Sequence, residues 1–122
     1  MRLLQWLAGR LSSRGQGMGL YKRGMVKAKR HDYLGAIEDY TSTILRSDTP
    51  ASLRAMALYN RALAYTEAHQ NELAVGDLNE ILNMLETLPN IKIEARRRLL
   101  RMQRRADTIS NHQPDNETEQ TS

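Results

Sequence analysis

From residue 18 onward apolar residues recur at three- and four-residue intervals, the spacing of one helical face. Two amphipathic stretches separated by Arg30-His31-Asp32 are followed by two more separated by His69-Gln70-Asn71, which predicts helix, turn, helix, twice. Ser47-Asp48-Thr49-Pro50 divides the pairs and supplies a capping residue and a proline suited to a helix start, so a third helix is expected near Pro50. Leu88-Pro89-Asn90 marks the next break in the same way. Beyond it Ile91, Ala95, Leu99, Met102 and Ala106 form one apolar stripe, with Arg96, Arg97, Arg98, Arg101, Arg104 and Arg105 on the remaining faces, so a fifth helix is expected.

Sliding the chain against itself by 38 residues aligns 18 to 45 with 56 to 83. Seven of those 28 positions are identical: Met18/Met56, Leu20/Leu58, Tyr21/Tyr59, Arg23/Arg61, His31/His69, Ala36/Ala74 and Asp39/Asp77. Chance pairing gives roughly two. Gly24/Ala62, Met25/Leu63, Ile37/Val75 and Ile44/Leu82 keep similar size, so the chain holds an internal repeat.

The copies resemble the tetratricopeptide repeat. The resemblance rests on Leu20, Tyr21, Arg23-Gly24, Tyr33, Ala36-Ile37, Asp39-Tyr40 and Ile44 in the first, and on Leu58, Tyr59, Arg61-Ala62, Tyr65, Ala74-Val75, Asp77-Leu78 and Ile81-Leu82 in the second. It covers about 70 residues. It implies that Gly24 and Ala62, with Ala36 and Ala74, remove bulk where paired helices cross. Three departures bear on the inter-repeat loop rather than the fold: the 38-residue spacing against about 34 in the family, the late Pro50, and Thr43 where a small apolar residue is usual.

The fold class expected is therefore all-α, a short α-solenoid of two hairpins plus a fifth, Arg-rich capping helix. A basic N-terminal segment, 1–17, precedes a helical domain, 18–109, and a polar tail, 110–122, expected to be disordered. Within the first segment Leu4, Leu7, Ala8 and Leu11 share a helical face, flanked by Leu3 and Trp6, and residues 12–17, SSRGQG, are read as a linker.

Charge changes the picture. Residues 1–31 carry eight bases and no acid, 32–91 nine acids against three bases, 92–105 seven bases against Glu94, and the tail only acids, so the net charge of +4 hides two basic ends around an acidic middle. The arginines of the fifth helix, and Lys22, Arg23, Lys27, Lys29 and Arg30, could grip phosphates, but neither cluster has interleaved aromatics, which weighs against nucleic acid and for a solvated cap. Polyanion binding there, or membrane-surface contact through the basic N-terminal segment, is the alternative function, and either would fall with salt. The chain is expected in the cytoplasm. The N-terminal segment, with Arg2, Arg10, Arg14, Ser12 and Ser13, also reads as an organelle-targeting peptide or interfacial helix.

Catalytic chemistry is not indicated. No cysteine, phosphate loop or nucleophile elbow is present, and neither cofactor nor metal is expected. His31 and His69 recur, but the repeat offset spaces them about 10 Å apart, too far to share an ion. His112 falls in the tail, as does Asn116-Glu117-Thr118, a glycosylation-type triplet without a secretory signal. Asp39 and Asp77 are expected at outer, solvated positions.

The resemblance instead implies a concave groove lined by the first helix of each hairpin. The matching positions are Tyr21, Lys22, Met25, Ala28 and Lys29, then Tyr59, Asn60, Leu63, Thr66 and Glu67. Its expected occupant is a segment of a protein partner. One subgroup of the family clamps a C-terminal carboxylate with Lys and Asn; Asn60 matches, but Tyr21 and Met25 replace the other members, which argues against that ligand. Tyr21 and Tyr59 read equally well as packing between hairpins. Self-association is a further expectation, because two hairpins leave few faces covered.

Overall fold

The computed structural model describes residues 2–112, with side chains described from 15 to 111. Those residues form five helices: α1 (Arg2–Lys29), α2 (Tyr33–Leu45), α3 (Ala51–Glu67), α4 (Asn71–Asn83) and α5 (Pro89–His112). No strand occurs among them, so the chain is all-α. Each helix packs on the next in sequence, and α3 also touches α1 and α5. None of the described helices is long and apolar enough to cross a membrane.

The turns fall where the polar breaks predict, and the reason for the recurring histidines is conformational. His31 and His69 have φ of 65° and 60°, the left-handed region that non-glycine residues rarely enter. The His31 amide donates to the Ala28 carbonyl and that of Asp32 to Lys27; in the second copy the His69 amide donates to Thr66 and that of Gln70 to Tyr65. Both helices thus end in the paired 5→2 and 6→1 bonds of a Schellman motif, with histidine in the position glycine usually takes. Asp32 then caps α2 by accepting from the Gly35 amide at 3.0 Å, whereas Gln70, its counterpart before α4, makes no side-chain cap.

The linker expected at 12–17 is helical, and α1 runs through it without a break. Glycine in a helix costs about 1 kcal/mol relative to alanine, but Gly17 is buried in a close approach. A Cβ there would lie 3.2 Å from Thr49 Oγ1 and 3.7 Å from Leu53 Cδ2. Thr43 Oγ1 donates to the Gly17 carbonyl at 3.4 Å and to that of Asp39 at 2.9 Å, and Thr49 Oγ1 closes the corner by donating to the Thr43 carbonyl at 2.7 Å. The Thr43 hydroxyl is thus satisfied between α1 and α2, and the Thr49 hydroxyl pins the inter-repeat loop to the end of α2 through a backbone carbonyl. At the other end α5 extends through Ser110–His112, three residues into the expected tail. The rest of that tail lies outside the described residues.

Two apolar clusters form the core. Tyr21, Ala36, Tyr40, Leu53, Ala57 and Ala64 build the first; Leu58, Ala62, Ala74, Leu78, Ile81 and Ala95 build the second. Helix α3 contributes to both, and Ile44 packs against both, which joins the hairpins. The expected helix crossings are present with different volumes. Gly24 faces Tyr40 so closely that an added Cβ would meet its ring carbons at 2.7 and 2.9 Å. At the equivalent positions the second copy carries Ala62 and Leu78, one methyl more against a smaller partner.

This exchange of volume gives a direct test. Gly24→Ala is expected to cost about 1–3 kcal/mol by overpacking. Adding Tyr40→Leu, which reproduces the second copy's pair, should recover part of that cost, so the double variant is more stable than the two single effects summed. Strict additivity in urea denaturation would contradict the packing described.

Candidate functional site

In each hairpin the first helix presents an arginine to a carboxylate sixteen residues on. Arg23 Nε and Nη2 donate to Asp39 Oδ2 and Oδ1 at 2.9 and 2.7 Å, and Arg61 Nε and Nη2 donate to Asp77 Oδ2 and Oδ1 at 2.8 and 2.6 Å. Asp39 and Asp77, expected at solvated outer positions, are buried at 3% and 4% exposure. A buried carboxylate must be paired or its desolvation goes uncompensated, and the planar guanidinium fork matches its two oxygens. These residues are structural clasps between paired helices. The signal was the shared sixteen-residue interval between two pairs of recurring residues, which sequence reasoning noticed singly.

The copies support the clasp differently. Lys27 Nζ lies 3.0 Å from Asp39 Oδ2 as a second cation. Its counterpart in the second copy is Tyr65, over whose ring the Arg61 guanidinium sits at 5.5 Å, while Arg61 Nη1 donates to Thr41 Oγ1 at 3.0 Å and ties the second hairpin to the first. Hydrogen bonding from Arg23, then from Lys27, holds the Asp39 carboxyl below its ordinary range against the opposing effect of burial. Asp39's share of stability is therefore present above the ordinary carboxylate range and lost as pH falls through the lowered value.

Of the expected groove residues, Tyr21 is not a surface group. It is 4% exposed, its ring lies tilted by 52° against that of Tyr40 with centroids 5.9 Å apart, and its hydroxyl accepts from Asn60 Nδ2 at 2.8 Å. Burial pushes its hydroxyl pKa up, opposed by the Asn60 hydrogen bond. Asn60 Nδ2 also donates to the Met56 carbonyl at 2.9 Å, so both its protons are engaged. Tyr59 is half-buried beside the second cluster. Lys22, Lys29 and Glu67 are exposed, and Met25 and Leu63 half-buried.

What emerges is a stripe on each first helix. Met18, Lys22, Met25 and Lys29 on α1, and Met56, Asn60, Leu63 and Glu67 on α3, follow i, i+4, i+7 and i+11, one helical face. Met18 and Met56, missed as groove residues although identical in the two copies, are 40% and 38% exposed.

The arginines of α5 divide. Arg96, Arg97, Arg101, Arg104 and Arg105 are exposed, and among the described residues Arg97 pairs with Glu94 at 2.9 Å. Arg98 is half-buried with its Nε enclosed and without a hydrogen-bond partner. A concavity of about 1310 Å³ lies where the later half of α5 passes the α3–α4 turn, and of the expected groove residues only Thr66 and Glu67 line it. Among the described residues no group of three His, Cys, Asp or Glu is placed to hold a metal ion. Comparison with protein-family models, curated proteins and solved structures finds no match.

The two clasps differ in reserve cations, which sets a contrast. Arg61→Met strands a buried Asp77 and should cost about 3–5 kcal/mol. Arg23→Met leaves Lys27 beside Asp39 and should cost distinctly less. Equal losses in chemical denaturation would contradict this asymmetry.

Proposed function

We propose that the chain is a tetratricopeptide-like recognition module whose α1 and α3 stripes hold a segment of another protein, without catalysis. The observation carrying this reading is that Met18 and Met56, repeat-related and apolar in both copies, stay well exposed beside half-buried Met25 and Leu63. Methionine adapts its shape to a partner at little conformational cost in the surrounding helices. The hydrogen bond between Tyr21 and Asn60 supports the stripes from beneath by joining α1 to α3.

Polar positions between the apolar ones would set the direction of the bound segment. Lys22 and Lys29 on α1 favour acidic groups, and Glu67 on α3 favours a basic one. A ligand with apolar side chains at intervals, acidic toward α1 and basic toward α3, is the expected class.

Peptides selected from a display library against the folded chain provide the test. Met18→Glu together with Met56→Glu is expected to weaken their binding at least tenfold, since burying one such side chain contributes about 1.5–3 kcal/mol. The thermal midpoint should hardly move, because both positions are partly exposed. Unchanged affinity, or amide shifts on titration confined to α2 and α4, would refute the reading.

A further inference from the structure

The 38-residue interval continues into α5. Leu53, Ala57 and Ala64 of α3 pack in the first cluster, and their counterparts Ile91, Ala95 and Met102 of α5 pack in the second. Helix α5 therefore stands where the first helix of a third hairpin would stand. The same comparison identifies the side of α5 that a second helix would cover. On α3 that side carries Ala55, Leu58 and Ala62, none more than 1% exposed, the last two clustered with Ala74 and Leu78 of α4. Their counterparts are Ile93, Arg96 and Leu100, and all three are exposed, Ile93 by 43% and Leu100 by 52%.

The stretch that should cover this face lacks the pattern for it. The interval places a second helix of the third unit at 109–121, where Ile109 is followed by polar residues and by Pro114, with no apolar stripe to lay on α5. Helix α5 itself continues into that stretch, and with 24 residues it outruns the 13-residue α4 along the groove beside the α3–α4 turn. The charges of the open face select what can cover it. Ile93, Arg97, Leu100 and Arg104 follow i, i+4, i+7 and i+11, one helical line in which two apolar residues alternate with two arginines, and Arg96 flanks it. The Arg97–Glu94 ion pair is exposed on both sides, so another carboxylate can displace it. A second copy's α5 would set arginine against arginine, and residues 1–14 carry Arg2, Arg10 and Arg14 with no acid, so both are repelled.

We infer that the outer face of α5 docks an acidic amphipathic helix of another protein, which takes the place of the second helix of a third hairpin. Apolar side chains of the incoming helix cover Ile93 and Leu100, and its Asp or Glu side chains meet Arg97 and Arg104. The acids lie on that side because Glu67 and Glu72 stand across the groove that Arg96 and Leu100 also border. Ile93 and Leu100 are larger than Ala55 and Ala62, so the docked helix sits farther from α5 than α4 does from α3. The α1 and α3 stripes take no part, so this site is independent of partner binding there.

Fluorescence anisotropy on the full chain tests this with a designed helical peptide that carries leucines along one side and glutamates beside them. The peptide should bind, and Ile93→Ser with Leu100→Ser, or Arg97→Glu with Arg104→Glu, should each weaken it by roughly tenfold or more. The charge-reversed variant should in turn prefer a peptide with lysines in place of the glutamates. All four side chains are exposed, and circular dichroism checks that both variants fold. Met18→Glu with Met56→Glu should leave this affinity unchanged, which separates the site from the α1 and α3 stripes. No binding at millimolar chain concentration in low salt would overturn the proposal, as would a loss confined to the Met18 and Met56 variant. Equal binding of a peptide with alanines in place of the leucines, or of a short single-stranded RNA, would also overturn it, since either marks a general polyanion surface.

Discussion

A carboxylate buried between two helices has to be met by a cation at one height and in one orientation. Asp39 and Asp77 impose that demand on the two hairpins, and Arg23 and Arg61 meet it with paired hydrogen bonds of 2.6 to 2.9 Å. The clasp fixes the register of first helix against second, because sliding by one turn would strand the acid. Everything that faces away from it follows. With Arg23 turned toward α2, Met18, Lys22 and Met25 fall on a different face of α1, and the same holds for Met56, Asn60 and Leu63 relative to Arg61.

Within that frame the two copies trade volume and support rather than repeating each other. A glycine beside a tyrosine in one becomes an alanine with a leucine in the other, so both crossings fill without a void. Lys27 backs the first clasp, and the Tyr65 ring with Thr41 backs the second. Because Thr41 belongs to α2 and Arg61 to α3, the second clasp also ties the hairpins together. The Tyr21–Asn60 bond does the same beneath the α1 and α3 stripes.

Local rules made much of this legible. The polar breaks, Pro50, Pro89 and the 38-residue repeat locate four of the five helix starts, because turns and caps depend on residues close in sequence. What escaped depends on contacts distant in sequence. Gly17 reads as a break until Thr49 and Leu53 pack on it, and Asp39 and Asp77 read as solvated until their arginines close over them. Tyr21 was balanced between ligand and packing roles, and its contacts with Tyr40 and Asn60 place it in the core. The groove beside α5 was illegible for another reason: it depends on α5 outrunning its neighbours, a property of relative helix length and not of either helix alone.

The six methionines report on the recognition surface directly, since Met18, Met25 and Met56 lie on the α1 and α3 stripes while Met84 and Met102 lie elsewhere. With methionine methyl groups labelled with carbon-13, adding a bound partner peptide should shift the Met18, Met25 and Met56 signals together and leave those of Met84 and Met102 in place. Movement of Met84 and Met102 with the other three unchanged would contradict the account.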